Sequence, residues 1–279
     1  MTSLELFDET LDINSTENYE LAIQASPGGF AFCLLDTLRN KIVLVRSSEP
    51  ETGKYFNSET IKEFVSKDDF LARPYRKTRI VLPSPKITLV PAPLFDPAKK
   101  DEYFSLNLGK DNNFDILSNR TPDPDMFIVF GVPVSIHEVI RSLYPVVHPY
   151  VHLVPLLHNI EGRRSAHGSY IHIHIEKEFF NLIIFRDNQL QFCNTFRHRS
   201  FTDILYYVLN AFGKLGINRE EAICMSGLCE KQDDLSSALA EYIPDIRYAV
   251  PKGNFSFSYV FGEISLHRFI NLFSVFNCG

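Results

Sequence analysis

Between residues 20 and 49 the apolar positions fall into three short blocks, each closed by residues that favour turns. Residues 20–26, 29–36 and 41–48 read as three strands, and the short separators Pro27-Gly28 and Arg39-Asn40 predict an antiparallel meander. The period then lengthens. Ile61, Phe64 and Val65 share one helical face behind Asn57 or Ser58 as cap, with Glu59 in the first turn, where the helix dipole favours a negative charge. Residues 79–90 supply β segments broken by Pro83 and Pro85, residues 96–106 suggest a helix, and residues 126–131 suit a buried strand. Ser135 and Glu138 match a capping box ahead of Val139, Ile140 and Leu143, with Pro145 as the stop.

The second half repeats this order. Residues 169–176, 179–187 and 189–198 read as three more strands, separated by Lys177-Glu178 and Asp187-Asn188. Ser200 and Asp203 then cap a helix whose apolar face runs from Ile204 and Leu205 through Val208, Leu209 and Phe212 to Leu215, ending near Gly213 and Gly216. A strand at 222–226, a helix at 233–242 stopped by Pro244, a strand at 246–250 and a helix at 262–276 complete the chain. A meander followed by alternating helices and strands, occurring twice, predicts an α/β protein of two ribonuclease-H-like units with mixed sheets flanked by helices. The expected division is 1–160 and 161–279, with the last helix returning to the first unit. Duplication of this unit is the architecture of the actin, sugar kinase and heat-shock ATPase superfamily.

Charge changes the picture in one respect. The 279 residues carry 28 Lys and Arg against 34 Asp and Glu, a net charge of −6. Glu5, Asp8, Glu9, Asp12, Glu17 and Glu20 are unaccompanied by any base within the first twenty residues, so the acidity is assigned to an N-terminal segment on a neutral body. No marked basic excess points to general nucleic-acid binding. A start without a basic, apolar leader and the lack of a long apolar run give the expectation of a cytoplasmic protein without a membrane span. Five widely placed cysteines read as reduced, buried thiols.

The segments 19–24 (Tyr-Glu-Leu-Ala-Ile-Gln), 30–33 (Phe-Ala-Phe-Cys) and 201–207 (Phe-Thr-Asp-Ile-Leu-Tyr-Tyr) resemble a bacterial domain-of-unknown-function family with an actin-like ATPase fold. A more distant similarity is to actin-like pilus-assembly and cell-division proteins. The resemblance implies that each meander should open on an Asp-x-Gly loop, the acid near a divalent metal and the small residues letting backbone N–H groups approach phosphate. Those positions fall here on Gln24, Ala25 and Ser26 before Pro27-Gly28-Gly29, and on His174, Ile175 and Glu176 before Lys177-Glu178. Gln replaces an acid and Ser a glycine in the first; in the second, Glu176 brings bulk and negative charge towards the expected phosphate. Gly227 matches one residue of a glycine pair that lies against adenosine in relatives, and an ordinary turn is the stronger reading for it. Gly28-Gly29 likewise reads as a hairpin turn before a phosphate cradle.

Two further clusters carry chemistry. His172 and His174 share a strand face with Tyr170 and Glu176, opposite Ile171, Ile173 and Ile175. They are candidate metal ligands, with His167 as a third, but a half-buried strand with a polar face is the stronger reading. Arg73, Arg76, Lys77 and Arg79 beside Tyr75, the pair Arg163-Arg164, and Arg197-His198-Arg199 would hold phosphate or RNA if they converged; as separated runs they read as solvated surface. The sequence therefore favours a non-hydrolysing protein-interaction or scaffold module with no cofactor, whose partner is another protein. The alternatives are a nucleotide-binding ATPase or kinase using ATP and Mg²⁺ through altered loops, and a metal- or RNA-binding protein. The oligomeric state is not legible.

Overall fold

The structure is a computed structural model describing residues 2–51, 54–164 and 168–279. In chain order the first part comprises β1 (Thr2–Phe7), β2 (Tyr19–Ser26), β3 (Gly29–Asp36), β4 (Lys41–Glu49), α1 (Ser58–Lys67), β5 (Lys77–Leu82), β6 (Ile87–Pro91), α2 (Lys100–Leu108), β7 (Phe114–Pro122), β8 (Asp125–Pro133), α3 (Val134–Leu143), β9 (Tyr150–Val151) and α4 (Leu153–Ile160). The second comprises β10 (Ser169–Ile175), β11 (Phe179–Arg186), β12 (Gln189–Arg197), α5 (Phe201–Leu215), β13 (Ile223–Gly227), α6 (Asp234–Ala240) and β14 (Ile246–Tyr248). The chain divides into two units. One contains residues 1–158, 252–264 and 271–279; the other contains residues 159–251 and 265–270.

The sheets repeat one topology. In the first unit the order β4-β3-β2-β5-β9 is antiparallel through the meander and parallel from β2 to β5 and β9. In the second, β12-β11-β10-β13-β14 has the same sequence of antiparallel and parallel pairs. Helices stand at matching points: α1 and α5 follow the meanders, while α3 and α6 precede the last strands. The duplicated ribonuclease-H-like arrangement is thus a property of the pairing.

Local sequence explains the elements. Asn57 caps α1 through the N–H of Thr60 at 2.9 Å, and the Thr60 hydroxyl returns to the Asn57 backbone. Ser200 and Asp203 form the expected capping box on α5, and Gly216 ends that helix at φ 62°. Asp187 and Asn188, at φ 50° and 62°, make the tight turn between β11 and β12. The second unit buries Ile171, Ile173 and Ile175 against Ile204, Val208 and Phe212 of α5 and Leu235 and Leu239 of α6. Burial of this stripe at about 25 cal/mol per Å² is what holds the helices to the sheet.

Three expectations about the elements are corrected. The segment 87–133 is an insertion in the first unit, where β6-β8-β7 form a separate antiparallel sheet covered by α2. Ser135 does not cap α3: β8 runs straight into the helix at Val134, whose N–H donates to the Asn113 carbonyl at 3.0 Å. The single helix expected at 262–276 is a run of 3-10 turns with one short helix, Ile270–Ser274, because Ile264 and Ser265 adopt extended backbone between them.

The acidic N-terminal segment is not an appendage. β1 pairs with β4 as an edge strand, and Glu5 and Glu20 meet Arg46 and Arg79. The Asp8 carboxylate is buried. It accepts hydrogen bonds from Lys41 at 2.7 Å, from the Ser258 hydroxyl and from Thr10. Burial pushes its pKa up, but those donors outweigh burial and hold it well below the ordinary carboxylate range. Asp8→Asn, which keeps the shape and loses the charge, should lower stability by about 1.5 kcal/mol in urea unfolding at pH 7. An unchanged midpoint would show that the Lys41 pair contributes nothing.

Candidate functional site

At the first meander the Pro27-Gly28 turn closes on itself. The Ser26 hydroxyl accepts the Gly28 N–H at 3.2 Å and donates to the Gly29 carbonyl at 3.4 Å, so a backbone donor that a phosphate would need is already engaged. Gly28 and Gly29 lie outside the left-handed region, so the turn uses glycine for slimness: a Cβ on Gly29 would sit 3.2 Å from the Ser48 carbonyl oxygen. Gln24 stands three residues before Pro27 in β2, in register with Ala31 of β3 and Val81 of β5.

The corresponding corner of the second unit carries the denser chemistry. β10 alternates as the sequence predicted, with the isoleucines in the apolar core and His172 and His174 on the other face. That polar face is not half buried: His172 is 0 % exposed, His174 1 %, and Ser226 of the neighbouring strand β13 0 %. Parallel pairing sets His174 opposite Ser226. A continuous chain of hydrogen bonds results. His172 Nε2 and His174 Nδ1 lie 2.7 and 2.8 Å from the single Ser226 Oγ, Tyr170 Oη lies 3.3 Å from His172 Nδ1, and Glu176 Oε1 lies 3.3 Å from His174 Nε2.

The Ser226 hydroxyl has one proton to give, so it donates to one imidazole and accepts from the other. With Ser226 donating to His174 Nδ1, His172 Nε2–H donates to Ser226, Tyr170 donates to His172 Nδ1 and His174 Nε2–H donates to Glu176, which leaves His172 neutral. The electrostatics agree: burial first, then the neighbouring His174 and Arg163, pull the His172 pKa down to about 3. Each ring nitrogen is engaged in the chain. Among the described residues no three His, Cys, Asp or Glu side chains are grouped as metal ligands. His167 lies outside the described residues.

Glu176 is buried at the end of this chain. Its backbone N–H donates to the Phe179 carbonyl at 2.8 Å and its carbonyl accepts His198 Nε2 at 2.8 Å, closing the hairpin around it. Gly227 has φ 83° and brings Leu228 N–H to the Ile175 carbonyl at 2.8 Å. A Cβ at Gly227 would lie 2.0 Å from that same carbonyl oxygen, so glycine is required by the strand pairing itself.

Spacing within β10 displayed the histidines, but Ser226 is 52 residues from His174 and only the β10–β13 pairing joins them. Of the basic clusters, Arg73, Arg76, Lys77 and Arg79 come together along one groove of the first unit, whereas the other two belong to the second unit. All five cysteines are free thiols; burial pushes Cys193 and Cys278 up to about 12, away from reactivity.

With this geometry in place the chain can be compared with known proteins. A family model described as "Protein of unknown function (DUF3822)" matches residues 8–246, most of the chain. The chain belongs to the DUF3822 family. No curated protein matches it. Among solved structures, a Bacteroides thetaiotaomicron protein with an actin-like ATPase fold and unknown function aligns with a TM-score of 0.81 at 20 % identity, covering 97 % of this chain and 100 % of that one. A chain of the PilM–PilN type IV pilus biogenesis complex aligns at 0.56 with 13 % identity, over 92 % and 96 %. This DUF3822 protein therefore has the actin-like ATPase fold. Among its described residues no helix is long and apolar enough to cross a membrane.

Proposed function

We propose that this DUF3822 protein is a protein-interaction or scaffold module built on an actin-like fold that does not hydrolyse nucleotide. Buried Glu176 carries the reading. It occupies the place where the second meander would receive phosphate, and its carboxylate is committed to the His174–Ser226–His172 chain. A polyphosphate brought there would meet a negative charge in a poorly hydrated setting, and the nearby backbone donors of Glu176 and Leu228 are already bonded. The Ser26–Gly28 contact engages the donor at the first meander in the same way. Partnering draws support from the similarity to a chain of the PilM–PilN complex, an assembly of proteins.

The test is a melting-temperature titration with ATP and MgCl₂ alongside phosphate-release measurements. A site with a dissociation constant of ~10 μM would add about 2.7 kcal/mol at 1 mM ATP, which raises the midpoint by roughly 5–10 °C. The expected shift is below 1 °C, with no phosphate release. A shift of several degrees accompanied by turnover would replace this reading with that of an ATPase or kinase.

A further inference from the structure

The first unit carries a groove of about 850 Å³ that none of the phosphate-loop positions touches. Arg73, Arg76, Lys77 and Arg79 line it together with His148, and none of its lining residues is Asp or Glu. Arg79 is neutralised by Glu20, but Arg73 and Arg76 donate to neutral oxygens, those of Ile13, Asp69 and Thr37, and keep their charge. Among the described residues no carboxylate pairs with Arg73, Arg76 or Lys77. In a chain of net charge −6, this is a local concentration of positive potential.

Two further observations specify the shape of what would fill it. β2 covers one side of β5 from Lys77 to Val81, whereas β9 covers the other side only at Val81 and Leu82. Among the described residues no strand pairs with the edge of β5 at 77–80; Lys77, Thr78 and Arg79 line the groove, and the Arg79 guanidinium also donates to the Cys278 carbonyl. The opposing wall is apolar: Pro145, Val146 and Val147, with Val146 96 % exposed. Tyr75 and Tyr144 direct their hydroxyls to the Phe70 and Leu71 carbonyls, so what they offer the groove is ring surface.

We propose that this groove binds an extended acidic segment of a partner protein, which adds alongside β5 as a strand. An extended peptide alternates its side chains between two sides with a period of two, so Asp or Glu would face Arg76 and Lys77 while apolar residues face Val146 and Tyr144. The bare apolar wall favours such a peptide over a nucleic acid, whose backbone would leave that wall uncovered. The site rests on the interaction reading above and names the chemistry of the partner.

The experiment selects from a random decapeptide display library on the full chain, then measures the affinity of the winning peptides. The expected consensus has two or more acidic residues at alternate positions, with binding at least tenfold weaker to the Arg76→Glu/Lys77→Glu variant and amide exchange slowed at residues 77–80. Both substituted side chains are exposed, and circular dichroism checks that the variant is folded. A consensus without acids overturns the proposal. So does an acidic consensus bound equally by the variant, which removes the groove while leaving an interaction module elsewhere on the chain. Failure to enrich any peptide counts against both readings. Tighter binding of a twelve-nucleotide oligouridylate, lost in the variant, would make the groove a nucleic-acid site.

Discussion

Alanine at position 227 is expected to destabilise the protein by about 4 kcal/mol or more, a large part of the roughly 5–15 kcal/mol that keeps a domain folded. Left-handed backbone at a residue with a Cβ contributes only about 1–2 kcal/mol of this. The remainder arises because the added carbon would lie 2.0 Å from the Ile175 carbonyl oxygen, an overlap relieved only by moving β10 away from β13. Separation of those strands would also part Ser226 from the two imidazoles. Gly216→Ala is the matched control: φ is 62°, but nothing lies within 4 Å of its added Cβ, so it should cost about 1 kcal/mol. Urea unfolding followed by circular dichroism compares the two. Equal losses would mean that the strand–turn junction tolerates a side chain and that Gly227 is retained for some purpose other than closing the sheet.

The second large effect appears on acidification. His172 has a folded pKa near 3 against 6.5 for the free side chain, so between these values the unfolded chain binds a proton that the folded chain refuses. Its contribution is fully present above pH 6.5 and declines as pH falls towards 3, by about 1.4 kcal/mol per pH unit across the window. From pH 7.5 to 5.0 the loss is about 2 kcal/mol. His172→Gln removes the titrating group while keeping a polar side chain, so the wild-type protein should lose about 2 kcal/mol more than the variant between pH 7.5 and 5.0. Parallel pH profiles in urea unfolding would contradict a neutral, buried His172.

The two predictions rest on features of unequal visibility in the sequence. The strands of both meanders, the Asn57 and Ser200 caps and the apolar face of α5 were legible because their signals are local: period, cap and turn residues lie within a few positions of one another. The inserted sheet was only partly legible. β8 announces itself through a buried apolar run, but β7 does not, since Asp115, Ser118, Asn119, Arg120 and Thr121 interrupt its pattern and only its pairing with β8 makes it a strand. The break at Ile264 was hidden because Leu266, Phe269, Ile270 and Phe273 fit a helical period.

The site divides along the same line. The departures from the Asp-x-Gly pattern were visible as residue types, and the histidine face as alternation. Their meaning was not visible, because a buried imidazole is tolerable only when its nitrogens are bonded and the bonding partner comes from another strand. The basic groove was hidden for a related reason: residues 73–79 carry the cations, but residues 143–150 supply the opposing wall.

The pairing of β4 has a consequence for synthesis. Its outer edge is shared by β1 along residues 44–49 and by Ser256–Phe257 at Lys41 and Ile42, and Asp8 is held by both Lys41 and Ser258. The sheet of the first unit is thus completed by residues that follow most of the second unit in the chain, so most of the second unit is synthesised before that sheet can close. Until residues 256–258 emerge, the nascent form carries an unfinished sheet edge at Lys41 and Ile42 and an Asp8 carboxylate without its Ser258 partner, which makes that interval the time when a chaperone has most to protect.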